Sequence, residues 1–198
     1  MQSYYFMQQQ VDAIIEKKES PLLWFLEHDH MYTAGYNTLA SDLLGAQSLL
    51  PLYTTDRGGK LTYHGPGQRV IYLLLNLHFL QTKVDVKLFI LNIQKWLIAS
   101  LAHFSIKGVI YPGKIGVWVF HCGADKKIAS IGLKLRRFVT SHGIALNVNT
   151  DLSYFDKIIA CGMKDNVATS MQEILETDIS MKEVDSVLLG EFVKIFGI

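Results

Sequence analysis

At 198 residues, with hydrophobic residues at 49% and charged ones at 19%, the chain can bury a substantial core and is too apolar to be disordered. A net charge of +1 excludes nucleic-acid binding through a bulk basic field, so a charged partner must meet a local patch. Two cysteines, Cys122 and Cys161, are too few for a disulfide framework and sit in no CxxC or Cys/His metal spacing, which points to a reducing compartment and no metal site.

Residues 1–20 carry neither a basic stretch followed by an apolar core nor an arginine-rich, acid-poor pattern, so neither a secretion signal nor a transit peptide is indicated. The longest uninterrupted apolar run, residues 70–75, is far too short to span a bilayer. The expectation is a cytoplasmic protein without membrane attachment. No repeat or Pro/Gly/Ser linker divides the chain, so residues 1–198 read as a single domain.

In chain order, residues 4–18 form an amphipathic helix with Phe6, Val11, Ile14 and Ile15 inward. "PLLWFLEH" (21–28) reads as a buried strand, and "RVIYLLLNL" (69–77) as another with turn signals ahead of it. "VKLFILNIQKWLIASLAHF" (86–104) is long enough to prefer helix, and its apolar positions wrap most of the circumference. The period then changes: 114–121, 127–135 and 138–148 are successive strands, the first two joined by the hairpin turn "CGADK". Beyond Cys161 the pattern returns to helix, with Ser180 and Glu183 as a capping box ahead of "VDSVLLGEFVKIF". Strands in blocks with helices at both ends predict an α+β fold with a mixed or antiparallel central sheet flanked by helices.

The segment "RGGKLTYHGPGQ" (57–68) puts four glycines around Arg57, Lys60, Tyr63 and His64. It has no G-x-x-x-x-G-K-[ST] spacing and no G-x-G-x-x-G, so it is neither a P-loop nor a dinucleotide fingerprint. Alone it reads equally well as a connection or a binding loop. Cys122 sits in the hairpin turn as an incidental thiol. Cys161, in "IIACGMKD", ends an apolar stretch and precedes a glycine, a place where a reactive thiol can meet a ligand if a cation or base is near. His64 and His142 lie among glycines and are candidate bases; Lys126 and Lys127 precede an apolar strand that Lys127 enters. Spacing alone leaves the function undecided.

Three ordered blocks decide it: "RGGKLTYHGPGQ" (57–68), "KIASIGLKLRRFVTSHGIALNVNTDLSYF" (127–155) and "ACGM" (160–163). With these the chain resembles the lipoyl(octanoyl) transferases, of the biotin/lipoate ligase-like superfamily, from about Tyr4 to the helix after Thr169. The resemblance implies that Cys161 is the nucleophile and Lys127 its catalytic partner. It implies that Arg57, Gly58, Gly59, Lys60, Leu61, Thr62, Tyr63 and His64, with Ser130, Ile131 and Gly132 and with Gly143, Ile144 and Ala145, enclose the acyl chain. The implied reaction moves octanoyl from octanoyl-acyl carrier protein to a lysine of a lipoyl domain, in 2-oxoacid dehydrogenase E2 subunits or the glycine cleavage H protein, with no cofactor. Ala160 and Met163 stand where the family usually has Pro and Ile.

An octanoyl tail offers only apolar surface and shape, at about 0.8 kcal/mol per buried methylene. The glycines at 58, 59, 65, 132 and 143 are therefore expected to let the tail lie against main chain, with Tyr63 and His64 as its wall. Backbone N–H groups near Gly162 and residues 57–65 are expected to form an oxyanion hole. Lys134, Arg136 and Arg137 are candidates for docking the carrier protein. The rival reading, an ATP-dependent lipoate–protein ligase of the same superfamily, lacks its usual arginine-arginine and triple-glycine signature here.

Overall fold

The computed structural model describes residues 2–42, 50–81, 83–158 and 168–197. Its elements are α1 (Gln2–Ile15), β1 (Leu22–Leu26), β2 (Met31–Ala34), β3 (Leu52–Thr54), β4 (Thr62–His64), β5 (Gln68–Leu74), α2 (Leu77–Leu80), α3 (Val86–Ala102), β6 (Val109–Tyr111), β7 (Lys114–His121), β8 (Ala124–Arg136), β9 (Val139–Asn147), α4 (Met171–Leu175) and α5 (Met181–Phe196). Six strands in the order β1-β5-β9-β8-β7-β6 form the main sheet, and every neighbouring pair runs antiparallel. A second sheet of three short strands, β3-β2-β4, is mixed, with β2 parallel to β3 and antiparallel to β4. This is the α+β architecture expected from the strand and helix blocks.

The apolar run on β5 is continuous because both faces of that strand are covered. Ile71 and Leu73 enter the main core, where Phe89, Ile93, Trp96 and Leu97 of α3 meet Leu188 and Phe192 of α5. Leu74 turns the other way, toward Met7, Val11 and Ile14 of α1. Each such fully buried side chain contributes about 1.5–3 kcal/mol relative to exposure. Trp96 also donates its indole N–H to the Leu188 carbonyl at 2.7 Å, which fixes the α3–α5 contact. No helix among the described residues is long and apolar enough to cross a membrane.

Two local expectations change. Phe6 does not point inward: Met7 takes that place on α1, and Phe6 packs its ring edge-on against Trp24 at the surface. The 7, 11, 14 spacing, not 6, is the stripe that lies over β5 and β9. Ser180 stands at the N-cap of α5, but its side chain makes no cap hydrogen bond, so the capping box is not formed. Glu183 still lies in the first turn, where a carboxylate suits the helix dipole.

Strand β8 sets up the site. It pairs with β7 only as far as Ala129, whereas its pairing with β9 runs on to Arg136. Among the described residues no strand covers the edge that 130–136 present. The β7–β8 turn at Cys122 (φ 49°) and Gly123 (φ 77°) has both residues left-handed, as a two-residue hairpin prefers, and leaves Cys122 exposed.

Candidate active site

The glycine-rich segment closes over the open edge of β8. Gly58 donates its N–H to the Leu133 carbonyl at 3.0 Å, and the next residue, Gly59, is left-handed at φ 89°. Arg57 is buried; its guanidinium donates to the Thr33 carbonyl at 2.7 Å and the Thr33 hydroxyl at 2.9 Å on β2. Alternation along β4 then divides the segment. Thr62 and His64 face a cavity, whereas Leu61 and Tyr63 are fully buried on the far side with Tyr32 and Phe155. Tyr63 bonds His30 Nδ1 through its hydroxyl at 2.8 Å and stacks on Tyr154 with ring centres 4.7 Å apart.

The cavity holds about 740 Å³, within the range that accepts a drug-sized ligand. Its floor is one face of the main sheet: Val70 and Tyr72 of β5, Gly143 and Ala145 of β9, Ser130 and Gly132 of β8. Arg57, Gly58, Gly59 and Lys60 of the loop and Tyr4 of α1 complete the wall. Ile131 and Ile144 border the cavity too, but their side chains pack with the main core. Beyond the open β8 edge the lining continues to Leu77, Val86, Phe89 and Ile90, an apolar extension.

Three of these glycines are required by the protein's own packing. A Cβ on Gly143 would stand 1.9 Å from the Ile71 carbonyl oxygen, one on Gly65 1.9 Å from the Tyr63 hydroxyl, and one on Gly132 3.1 Å from the Gly58 carbonyl. These spaces are filled by the protein's own atoms. The glycines let strands and loop approach each other, and the cavity results from that packing.

Lys127 enters this wall from β8, largely buried. Its stem runs past Gly116, where an added Cβ would lie 3.3 Å from its Cε and 2.6 Å from the Ala129 carbonyl; Gly116 is left-handed at φ 125°, and its own carbonyl accepts from Gln94 of α3 at 2.8 Å. The Lys127 ammonium lies 4.9 Å from the centre of the Trp118 ring, a cation–π distance. The Lys127 main chain bridges to Ala168, and its carbonyl accepts from the Thr169 N–H at 3.0 Å. Cys161, with Ala160, Gly162 and Met163, lies outside the described residues. On either side of that stretch, Ile158 and Ala168 sit in the same buried cluster as Tyr63. Among the described residues no His, Cys, Asp or Glu group could hold a metal ion.

Asp56, which no motif announced, ties together two residues of the cavity lining, Lys134 and His142. Asp56 accepts from Lys134 Nζ at 2.6 Å and from His142 Nε2 at 2.7 Å. Burial alone would raise its carboxyl, but these two donors outweigh that and hold it below the usual range. His142 adopts φ 56°, a rare conformation for a non-glycine residue, and this turns its ring toward Asp56. His28 Nε2 meets the Tyr72 hydroxyl at 3.0 Å; burial pushes that phenol up to about 12, so it keeps its proton near neutrality. Of the docking candidates, Lys134 is engaged by Asp56 and Arg136 by Asp12, while Arg137 is exposed at the β8–β9 turn.

Loss of surrounding water lowers the imidazoles of His28, His64 and His142, with His64 pushed down to about 3. Each is neutral in the fold above its lowered value, whereas the unfolded chain takes up protons below about 6.5. Between those limits the unfolded state binds more protons, so stability rises with pH. The melting temperature is expected to be level above about pH 7 and to fall steadily from there toward pH 4. A flat profile between pH 7 and 4 contradicts the burial of these rings.

The model of the family described as "Lipoyl protein ligase A/B catalytic domain" matches residues 2–193. The chain belongs to this family. It is 46% identical over 196 residues to the octanoyltransferase of Ehrlichia canis, a match covering 99% of this chain and 90% of that one. It is likewise 46% identical to the octanoyltransferase of Wolbachia pipientis wMel, over 96% of this chain and 91% of that one. Within the family it is therefore an octanoyltransferase-type member and an enzyme, a transferase. A bi-partite lipoate protein ligase from Thermoplasma acidophilum shares the fold, with a TM-score of 0.71 at 20% identity over 97% of this chain and 79% of that one.

Proposed function

We propose that this octanoyltransferase-family chain moves an octanoyl group from octanoyl-acyl carrier protein to a lysine of lipoyl domains, through a thioester on Cys161. The Cys161 thiolate, beside protonated Lys127, attacks the donor carbonyl and expels the phosphopantetheine thiolate, which takes the Lys127 proton and leaves that amine neutral. The acceptor lysine, once neutral, attacks the acyl-Cys161 carbonyl; its extra proton passes to Lys127, and the Cys161 sulfur leaves as thiolate. The donor is already an activated thioester and the product an amide, so no ATP is required. Lipoyl domains of E2 subunits and the H protein are the acceptors, and the cytoplasm is the compartment. The structural relative from T. acidophilum is described with its own E2 lipoyl domain.

The observation that carries the reading is the placement of Lys127. An amine is largely buried against an indole in the wall of a mostly apolar cavity, no carboxylate pairs with it among the described residues, and its main chain is bridged to Ala168, seven positions beyond Cys161. The test is to mix the pure protein with octanoyl-acyl carrier protein, without ATP, and follow intact mass. One octanoyl group should appear on Cys161, be absent in Cys161→Ser, and pass to an added lipoyl domain. A strict need for ATP, or unimpaired transfer by Cys161→Ser, defeats the proposal and favours a ligase.

A further inference from the structure

A buried chain of side chains fixes which nitrogen of His64 carries the proton. It starts at the Thr169 carbonyl, which can only accept. Asn147 Nδ2 donates to it at 2.9 Å, so Asn147 Oδ1 faces the opposite way. That oxygen accepts from Gln68 Nε2 at 2.9 Å, and the same Gln68 amide group donates to the Tyr63 carbonyl at 3.2 Å. Both Gln68 amide hydrogens are thereby used, and its Oε1 is left facing His64 Nδ1 at 2.7 Å. A carbonyl oxygen cannot donate, so the His64 proton sits on Nδ1 and Nε2 bears the lone pair. Gln68, Asn147 and Thr169 are buried, so water does not compete for these bonds.

His64 lines the cavity and Gln68, which holds its Nδ1, does not, so Nε2 is the ring nitrogen left to serve the cavity side. Among the described residues nothing bonds Nε2. Its neighbour His28 is spent on Tyr72 and meets the His64 ring edge-on, with centres 5.7 Å apart. The cavity wall thus contains a neutral nitrogen acceptor with a fixed direction, which an alkyl tail has no use for.

We propose that His64 Nε2 accepts a hydrogen bond from a substrate N–H, and that Gln68 and Asn147 are positioning residues that hold it in the accepting tautomer. The inference rests on the acyl-transfer reading, which brings two N–H groups to the site: the amides of the donor's phosphopantetheine arm and the amine of the acceptor lysine. A donor buried without this partner loses its compensation, and the loss converts to about 10- to 100-fold in kcat/KM.

Two substitutions separate this role from a structural one. In His64→Asn the amide falls where Nδ1 was, keeping Gln68 partnered and leaving the Nε2 position empty. In His64→Gln the side-chain carbonyl reaches about the Nε2 position and Gln68 loses its partner. The expected order is wild type, then His64→Gln, then His64→Asn about 10- to 100-fold below wild type, with His64→Asn no less heat-stable than His64→Gln. The reverse activity order overturns the proposal. In single turnovers, slower acylation of Cys161 assigns the N–H to the donor arm, and slower discharge alone assigns it to the acceptor amine; either supports the inference, and neither being slowed refutes it.

A readout independent of turnover is ¹⁵N NMR of labelled histidine. His64 should show a protonated Nδ1 and a bare Nε2 at neutral pH, and Gln68→Met should mix the two tautomers. A protonated Nε2 in the wild-type protein is fatal to the inference, whether or not Gln68→Met folds. Failure of the acyl-transfer reading shows elsewhere, as transfer that survives Cys161→Ser, and leaves the tautomer result standing.

Discussion

Lys127→Met is expected to lower octanoyl transfer by about 10²–10⁴-fold while the protein stays folded. Methionine keeps an unbranched apolar stem where Lys127 runs between Gly116 and the Trp118 indole, so the β7–β8 packing survives. What is lost is the amine. Two roles for it are distinguishable. If Lys127 only supplies positive charge beside a thiolate, Lys127→Arg retains much of the activity. If it takes the proton of the acceptor lysine, arginine fails as well, because a guanidinium does not deprotonate in proteins. The proposed mechanism requires failure of Lys127→Arg in the discharge step, measured as decay of the octanoyl adduct on Cys161 after a lipoyl domain is added. Normal discharge in Lys127→Met removes the residue from the mechanism.

The main sheet was legible because its strands are long and their burial is one- or two-sided in a way that composition reveals. The run at 70–75 reads as a strand covered on both faces, and β5 is covered by the α3/α5 layer on one side and by α1 and the cavity on the other. The second sheet was not legible. β3 and β4 have three residues each and β2 has four, shorter than any window in which alternation can be told from chance. Lys127 stood out as a lysine entering an apolar strand, but its seat did not, since Gly116 and Trp118 come to it through the β7–β8 register and a bulge between Val117 and Trp118. Asp56 carries no signal in the sequence: its partners Lys134 and His142 are 78 and 86 positions away. Gln68 lies inside the quoted glycine-rich segment, yet its meaning depends on Asn147, 79 positions away. Single side chains such as Lys127 could be marked from their local setting; the long-range pairing that seats them could not be read.

The glycines show the same division, and Gly143 gives the larger of two opposed stability effects. Gly143→Ala places a methyl 1.9 Å from the Ile71 carbonyl oxygen and 3.2 Å from the Leu73 amide nitrogen, both rigid main chain on β5. Neither can swing aside as a side-chain tip would, so β5 and β9 must part at the centre of the sheet, beneath the cavity floor. Overpacking ordinarily costs about 1–3 kcal/mol, and this case lies at or beyond the upper end because ladder hydrogen bonds are stretched as well. At about 2–4 °C per kcal/mol for a chain of this size, a cost near 3 kcal/mol lowers the melting temperature by roughly 6–12 °C. Gly190→Ala should do the opposite. Gly190 is exposed inside α5, has nothing within 4 Å of an added Cβ, and gains about 1 kcal/mol of helix propensity, a rise of about 2–4 °C. Thermal melts of the two variants decide the matter. If Gly143→Ala melts with the wild type, β9 does not lie against β5 as described, and the cavity floor built on that pairing is wrong.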